Sequence, residues 1–346
     1  MFRDALLKVM GKADLTSAEA ASAMDEIVGG SVAPVQVAGL LVGLAMKGER
    51  PDEIVGFATA MRDRAVQVPV APGTTADLCG TGGDGSGSFN ISSAASIVAA
   101  ACGLTVAKHG NRSVSSRCGS ADVFEALGVS LSASPEVLGQ CLAKAGIAFL
   151  FAPAIHPSTR NVVSVRKELG VRTAFNLLGP LTNPTRPAYQ IVGVPRPELT
   201  ELIARALSLL GSRRAWVVHG ADGLDELSTT GYSKVSECRD GAVKTFYVHP
   251  SDVGLPKAPA AALAGGDAAA NAGIVRDVLA GGRGAARDVV LLNAGAALFV
   301  AGRVARLGDG LSAAAAAIDS GAARRTLEAL VRWSAGPAPE FTETGT

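Results

Sequence analysis

Neither sign of charge dominates this 346-residue chain, in which 32 lysines and arginines stand against 31 aspartates and glutamates. Nucleic acid needs a basic surface and an anionic membrane needs the same, so neither is implied as a partner. There is no apolar run of about 18 residues, so a spanning helix is not expected. The amphipathic start with Asp4 and Lys8 is unlike a signal peptide. Cysteine is sparse. Cys79, Cys102, Cys118, Cys141 and Cys238 are odd in number, scattered and in no C-x-x-C pair, which supports no disulfide framework and points to reduced thiols in the cytoplasm. Internal repeats are absent, and the alanine runs at 268–270 and 313–317 read as helix formers.

What is present is apolar residues and glycine, at 48% hydrophobic with 41 glycines and only 18% charged residues. This composition fits a globular α/β protein, and the length suits one large or two unequal domains. Residues 1–66 read as helices only. Thr16-Ser17-Ala18-Glu19 has the form of a capping box before a helix that Gly29-Gly30 ends, while Pro34 and Pro51 stand at first-turn positions. Val37, Leu40, Leu41, Leu44 and Ala45 follow helical spacing and read as a packing stripe. Residues 67–73 carry two prolines and read as a linker.

The unusual chemistry lies in residues 77–128. A short apolar run ending at Cys79 leads into a loop with five glycines, Gly80, Gly82, Gly83, Gly85 and Gly87, and a helical pattern starts near Asn90. Glycines let successive N–H groups face one point, and a helix N-terminus adds unpaired donors, so the loop suits a phosphate. It has no lysine after its last glycine and is not a P-loop; its G-x-G-x-x-G letters contain Asp84, an acid inside the cradle. An acid beside a phosphate is explained by a metal ion between them or by a ligand hydroxyl. Lys108-His109-Gly110-Asn111-Arg112-Ser113-Val114-Ser115-Ser116-Arg117 then follows a strand-like run at 104–107. Another helix opens with Ser120 as N-cap and stops at Gly128. Two strand, polar loop, helix units thus face one crevice at the strand ends.

The blocks GTGGDGSGSFNISS and KHGNRSVSSRCGSADVFEALG, with RKELGVRTAFNLLGPLTNP at 166–184, DGLDE at 222–226 and Ala-rich C-terminal helices, resemble the anthranilate phosphoribosyltransferase family. The resemblance covers nearly everything except the last dozen or so residues. It implies a small N-terminal helical domain at 1–66, completed by a segment near 160–185, and a large α/β domain at 74–335. The central sheet should be mainly parallel and flanked by helices. Residues 336–346 read as a frayed tail. The implied reaction is magnesium-dependent transfer of phosphoribose from phosphoribosyl pyrophosphate (PRPP) to the amine of anthranilate, with pyrophosphate released.

The resemblance implies PRPP contacts from Gly80, Gly83, Asp84, Ser88, Asn90, Ile91, Ser92, Ser93, Lys108, His109, Gly110, Asn111, Arg112, Ser113, Val114, Ser115, Ser116 and Ser120. It gives anthranilate to Gly80, Asn111, His156 and Arg166, and one or two Mg2+ ions to Ser92, Asp225 and Glu226. A homodimer through the helical domain is also implied. Taken alone, Arg166 beside Lys167 and Glu168 reads as a solvated helix face, and Asp222-Gly223-Leu224-Asp225-Glu226 as a solvated turn. A guanidinium fork nevertheless fits a carboxylate, and acids just past a strand end fit magnesium. No residue stands out as a general base; His109 is the candidate proton acceptor, and Cys118 reads as a small polar filler. Pyrimidine nucleoside phosphorylases look similar in fold, but their second loop differs from KHGNRSVSS. A nucleic-acid-binding relative would want the basic surface this chain lacks.

The rest of the chain reads as a helix from Pro135 closed by Gly146, strands at 147–151, 189–194 and 215–219, and a helix at about 198–210. A hairpin spans 234–248 with Asp240-Gly241 at its turn, and helices follow at about 267–279, 286–300, 311–318 and 322–333.

Overall fold

The structure is a computed structural model that describes residues 2–71, 73–113 and 117–336. Four helices come first: α1 (Phe2–Met10), α2 (Ser17–Val28), α3 (Pro34–Lys47) and α4 (Pro51–Asp63). The capping box at α2 forms as its letters require, with Thr16 Oγ1 accepting from Glu19 N at 3.2 Å and Glu19 Oε2 accepting from Thr16 N at 2.8 Å. Pro34 and Pro51 occupy the first turns of α3 and α4, where a missing N–H leaves no helical bond unmade. Val37, Leu40, Leu41 and Leu44 are buried, whereas Ala45 falls on the exposed side of α3.

The α/β alternation follows: β1 (Thr75–Gly80), α5 (Ile91–Ala101), β2 (Thr105–Gly110), α6 (Ser120–Ala126), α7 (Pro135–Ala145), β3 (Ile147–Phe151) and the single-turn α8 (Ala152–Ile155). A crossover holds α9 (Arg160–Leu169) and α10 (Phe175–Leu178). Then come β4 (Tyr189–Gly193), α11 (Leu199–Leu209), β5 (Arg214–Gly220) and the hairpin β6 (Ser233–Arg239) and β7 (Ala242–Val248). Asp240 and Gly241 both take positive φ at the hairpin tip, as a tight two-residue turn demands. The C-terminal helices are α12 (Ala268–Leu279), α13 (Ala285–Val300), α14 (Leu307–Asp319) and α15 (Ala322–Ser334). The expected tail falls, apart from Gly336, at 337–346, outside the described residues.

The seven strands run in the order β3-β2-β1-β4-β5-β6-β7, parallel from β3 to β5 and antiparallel through the hairpin. The chain therefore leaves β1 towards β2 on one side and returns to β4 on the other. The ends of β1 and β4 form a topological switch point, where open α/β sheets have a crevice. Two apolar cores lie on opposite faces of this sheet. One joins α5, α6, α7 and α12–α15 to the strands. The other unites α1–α4 with Val162 and Val165 of α9, Phe175 and Leu178 of α10, Ile203 of α11 and Val192 and Val217 of the sheet. The helical bundle thus packs on α9, α10 and α11, and α11 lies between it and β5–β7 of the sheet.

Several local boundaries differ from the sequence reading, among them the start of α14, which begins at Leu307 and not near 311. Strand β2 runs on through Lys108 and His109, because both side chains find buried partners and the ladder to β3 continues to Gly110↔Phe151. Ser120 is the first residue of α6, with Gly119 at the cap; Asp122 Oδ2 accepts from Gly119 N at 2.8 Å, the half of a capping box that needs no side chain on the cap residue. The helix ends at Ala126, two residues before Gly128 takes φ +101°.

Candidate active site

At the switch point, Thr81 N donates to Gly193 O at 2.9 Å and joins the exits of β1 and β4. Beyond it, Gly82, Gly83, Gly85 and Gly87 all have positive φ, which is what the sequence needed glycine for. The acidic block after β5 folds back onto this loop. Asp225 Oδ2 accepts from Gly82 N at 3.0 Å, and Glu226 Oε1 accepts from Ser92 N at 3.1 Å in the first turn of α5. A Cβ at Gly80 would overlap Asp225 Oδ2, and one at Gly193 would overlap the Asp225 carbonyl oxygen, so both glycines exist to let the acids approach.

Burial dominates the electrostatics. Asp225 is held well above the usual carboxylate range, first by burial and then by Glu226 and Asp84. Burial lifts Glu226 to about 7, against the pull of Lys108 and of hydrogen bonds from Ser92. Lys108 is itself buried and donates to Leu78 O and, at 3.3 Å, to Ser92 Oγ. The Asp84 carboxylate faces Asp225 N at 3.5 Å. Among the described residues no three histidines, cysteines or acids converge as a ready-made metal cage. Two crowded carboxylates with one lysine nevertheless fit a cation that takes few protein ligands and completes its shell with water and phosphate oxygens, which is magnesium's habit.

A second cluster lies across the β2 exit. His109 Nδ1 bonds to Gly179 O at 3.0 Å, and its ring meets that of His156 edge to face with centroids 5.1 Å apart. The Nε2 atoms of both are buried without a partner. Burial lowers His109 to about 3, helped by His156, and lowers His156 to about 4, so both are neutral near pH 7. Arg166 of α9 is half-buried with its guanidinium 5.3 Å from the centre of the Phe175 ring, and it has no carboxylate partner among the described residues. Burial depresses its pKa.

Asn90 stands at the head of α5, where Cys118 and Asn271 donate to its Oδ1 at 3.3 and 2.9 Å; Cys118 is indeed a small polar filler. Ser93 Oγ is buried without a partner, Ile91 is core, and Ser88 forms an isolated bridge with Ala264. Gly110 lies so close to Ser120 Oγ and the Phe149 ring that no side chain fits there. Asn111 Oδ1 caps Arg112 N at 2.8 Å, and the Arg112 guanidinium is engaged by Asp122 and Glu125 of α6, both at 2.8 Å. Ser113 N donates to Asp122 Oδ2 at 3.2 Å, while Val114, Ser115 and Ser116 lie outside the described residues.

Two residues of the site had no sequence reading. Asp77 is fully buried in β1, accepting from Asn183 Nδ2 at 2.9 Å and from His109 N at 3.3 Å, with its pKa lifted to about 6 by burial. An acid inside the apolar run TADLC was the available signal. Arg172 reaches Gly82 O and Gly83 O, a contact across about 90 residues of chain that no local pattern encodes.

Family models agree with this architecture. Residues 3–65 match the helical bundle domain of a glycosyl transferase family, and residues 72–324 match its a/b domain. The anthranilate phosphoribosyltransferase of Moorella thermoacetica is 52% identical over 96% of this chain and 98% of its own length. The chain belongs to the anthranilate phosphoribosyltransferase family. Within that family, the solved structure from Thermus thermophilus superposes with a TM-score of 0.91 at 45% identity, covering 96% of this chain and 99% of that one. The Saccharomyces cerevisiae member, at 26% identity, has been solved with PRPP and Mg and with 4-fluoroanthranilate. Those two structures superpose with TM-scores of 0.87 and 0.86, each covering 97% of this chain and 98% of the other. Family membership makes the chain a transferase of the glycosyltransferase class.

Proposed function

We propose that this chain transfers the phosphoribosyl group of PRPP to the amine of anthranilate, giving N-(5-phosphoribosyl)anthranilate and pyrophosphate, for tryptophan biosynthesis. The observation that carries the reading is the buried Asp225–Glu226 pair hydrogen-bonded to the glycine loop and to the start of α5. Carboxylates packed against a phosphate-type cradle are at odds with a bare anion and consistent with a magnesium-bound one. The yeast complex with PRPP and Mg is the matching precedent.

In this reading Gly80, Gly83, Asp84, Ser88, Asn90, Ile91, Ser92, Ser93, Lys108 and the segment 108–116, with Ser120, hold the donor. Asp225, Glu226 and Ser92 hold one or two magnesium ions. When bound, magnesium supplies positive charge to the departing pyrophosphate. Lys108 adds a compact charge at the phosphates, and Arg166, Asn111, Gly80 and His156 fix the acceptor's carboxylate and ring. The new C–N bond forms at the ribose carbon as its bond to the pyrophosphate oxygen breaks. The arylamine is neutral at pH 7, so alignment supplies much of the rate.

His109 Nδ1 is engaged by Gly179 O, which leaves Nε2 with a lone pair for the amine N–H. With its pKa lowered to about 3, His109 suits orientation better than proton storage, and the acidic proton of the newly bonded nitrogen passes readily to pyrophosphate or water. The reading carries with it the division into 1–66 and 74–335, pairing through the helical bundle, and a cytoplasmic setting that suits five unbridged cysteines.

Anthranilate fluorescence tests the proposal. It should decay with PRPP and magnesium and persist with either omitted or with excess chelator. A constant signal with folded, magnesium-loaded protein overturns the reading, and nucleosides with phosphate would then be assayed.

A further inference from the structure

Arg172 lies in the crossover, just after α9 ends at Gly170, and extends over the glycine loop at the β1 exit. Its Nη1 donates to Gly82 O at 3.3 Å and to Gly83 O at 3.5 Å, and its Nη2 donates to Gly82 O at 3.3 Å. The approach is so close that a Cβ on Gly83 would overlap Nη1, and Gly83 also has φ +79°. No carboxylate is in ion-pair contact with Arg172 among the described residues; burial and the charge of Arg196 disfavour its cation, and Asp225 partly offsets them from a distance.

These two carbonyls matter because of what lies behind them. No peptide bond among the described residues is cis, and in a planar trans peptide the C=O of one residue and the N–H of the next point in opposite directions. Holding Gly82 O and Gly83 O towards the crossover therefore turns the N–H groups of Gly83 and Asp84 the other way. Neither N–H has a partner among the described residues. A loop with four glycines at positive φ has many other conformations to visit, and selecting the one with its donors aligned costs conformational entropy.

We infer that Arg172 is a positioning residue that clamps the glycine loop with its N–H donors set for a diphosphate. The planar guanidinium spans two successive carbonyls, which a lysine's point charge does not. The clamp also ties the donor loop to the segment that carries Arg166, six residues earlier in the chain. This inference rests on the proposed reading only for the identity of the diphosphate.

The test compares full-length wild type, Arg172→Ala and Arg172→Lys by two measurements. Amide hydrogen exchange without ligand should show residues 80–87 exchanging about tenfold faster in Arg172→Ala, with Arg172→Lys recovering only part of the protection. Calorimetric titration with PRPP and magnesium should show Kd weakened about tenfold in Arg172→Ala, the scale of one charge-assisted hydrogen bond, with the melting temperature unchanged. Unchanged exchange across 80–87 in folded Arg172→Ala overturns the clamp, as does full recovery by lysine. If wild type itself fails to bind PRPP, the proposed function falls, while the exchange result still decides the clamp.

Discussion

Glu226 and Ser92, 134 residues apart in sequence, meet through a 3.1 Å hydrogen bond from the Ser92 backbone N–H to Glu226 Oε1. The carboxylate thereby sits at the N-terminus of α5, where the helix's unpaired donors favour negative charge. Burial disfavours its charged form, and its charge in turn raises Asp225; in the proposed reading a magnesium ion would offset both.

Removing one of these charges should therefore stabilise the ligand-free fold and abolish turnover. At pH 8, Glu226→Gln is expected to unfold at higher temperature than wild type, by about 2 kcal/mol of stability, while its magnesium-dependent activity is lost. The sign follows from the raised pKa. The charged form is the disfavoured one in the fold, so the gain exists above about pH 7 and shrinks as pH falls towards 4, where wild type is protonated too. Thermal melts with chelator at pH 8 and pH 4.5 check this, and equal differences at both would refute it.

His156 has the opposite linkage. Its pKa drops from 6.5 to about 4 on folding, so below 6.5 the unfolded chain takes up the proton that the fold refuses. Relative to His156→Asn, wild type should gain stability as pH rises from 4 to 6.5 and stay level above that, with a total swing of about 3 kcal/mol. Urea unfolding of the pair at a series of pH values measures the swing, and a flat difference would show that the imidazole is not buried neutral.

Arg166→Ala should raise the KM for anthranilate about thirtyfold, the loss of a charge-assisted carboxylate contact, and leave the KM for PRPP within about twofold. Because the guanidinium pairs with no carboxylate among the described residues, the melting temperature should barely move. Steady-state kinetics with each substrate varied separates the outcomes; an unchanged anthranilate KM removes Arg166 from the acceptor site.

Gly193→Ala places a methyl group on the Asp225 carbonyl oxygen where β4 ends. Neither the strand nor the buried acidic block has room to yield, so the substitution should cost about 3 kcal/mol and reduce magnesium-dependent turnover with it. Denaturant midpoints of the variant and wild type decide the matter, and a loss under about 0.5 kcal/mol would mean the acidic block is loosely held.

Short-range chemistry was legible in the letters. The Thr16–Glu19 box, the prolines opening α3 and α4, the Asp240-Gly241 hairpin and the glycine loop before α5 each depend on residues a few positions apart, and the sequence alone fixes them. The resemblance of the motif blocks likewise set the family. Strand ends were less legible, since β2 continues through Lys108 and His109 only because the sheet and its neighbours give those polar side chains buried partners. Only the tertiary structure decided that the helical bundle packs on the crossover and α11, that the switch point falls between β1 and β4, and that Glu226 meets Ser92 and Arg172 meets Gly83. Those contacts arise from sheet order and the packing of two cores, the sum of many weak apolar contacts between distant segments, and no window of neighbouring residues contains that sum.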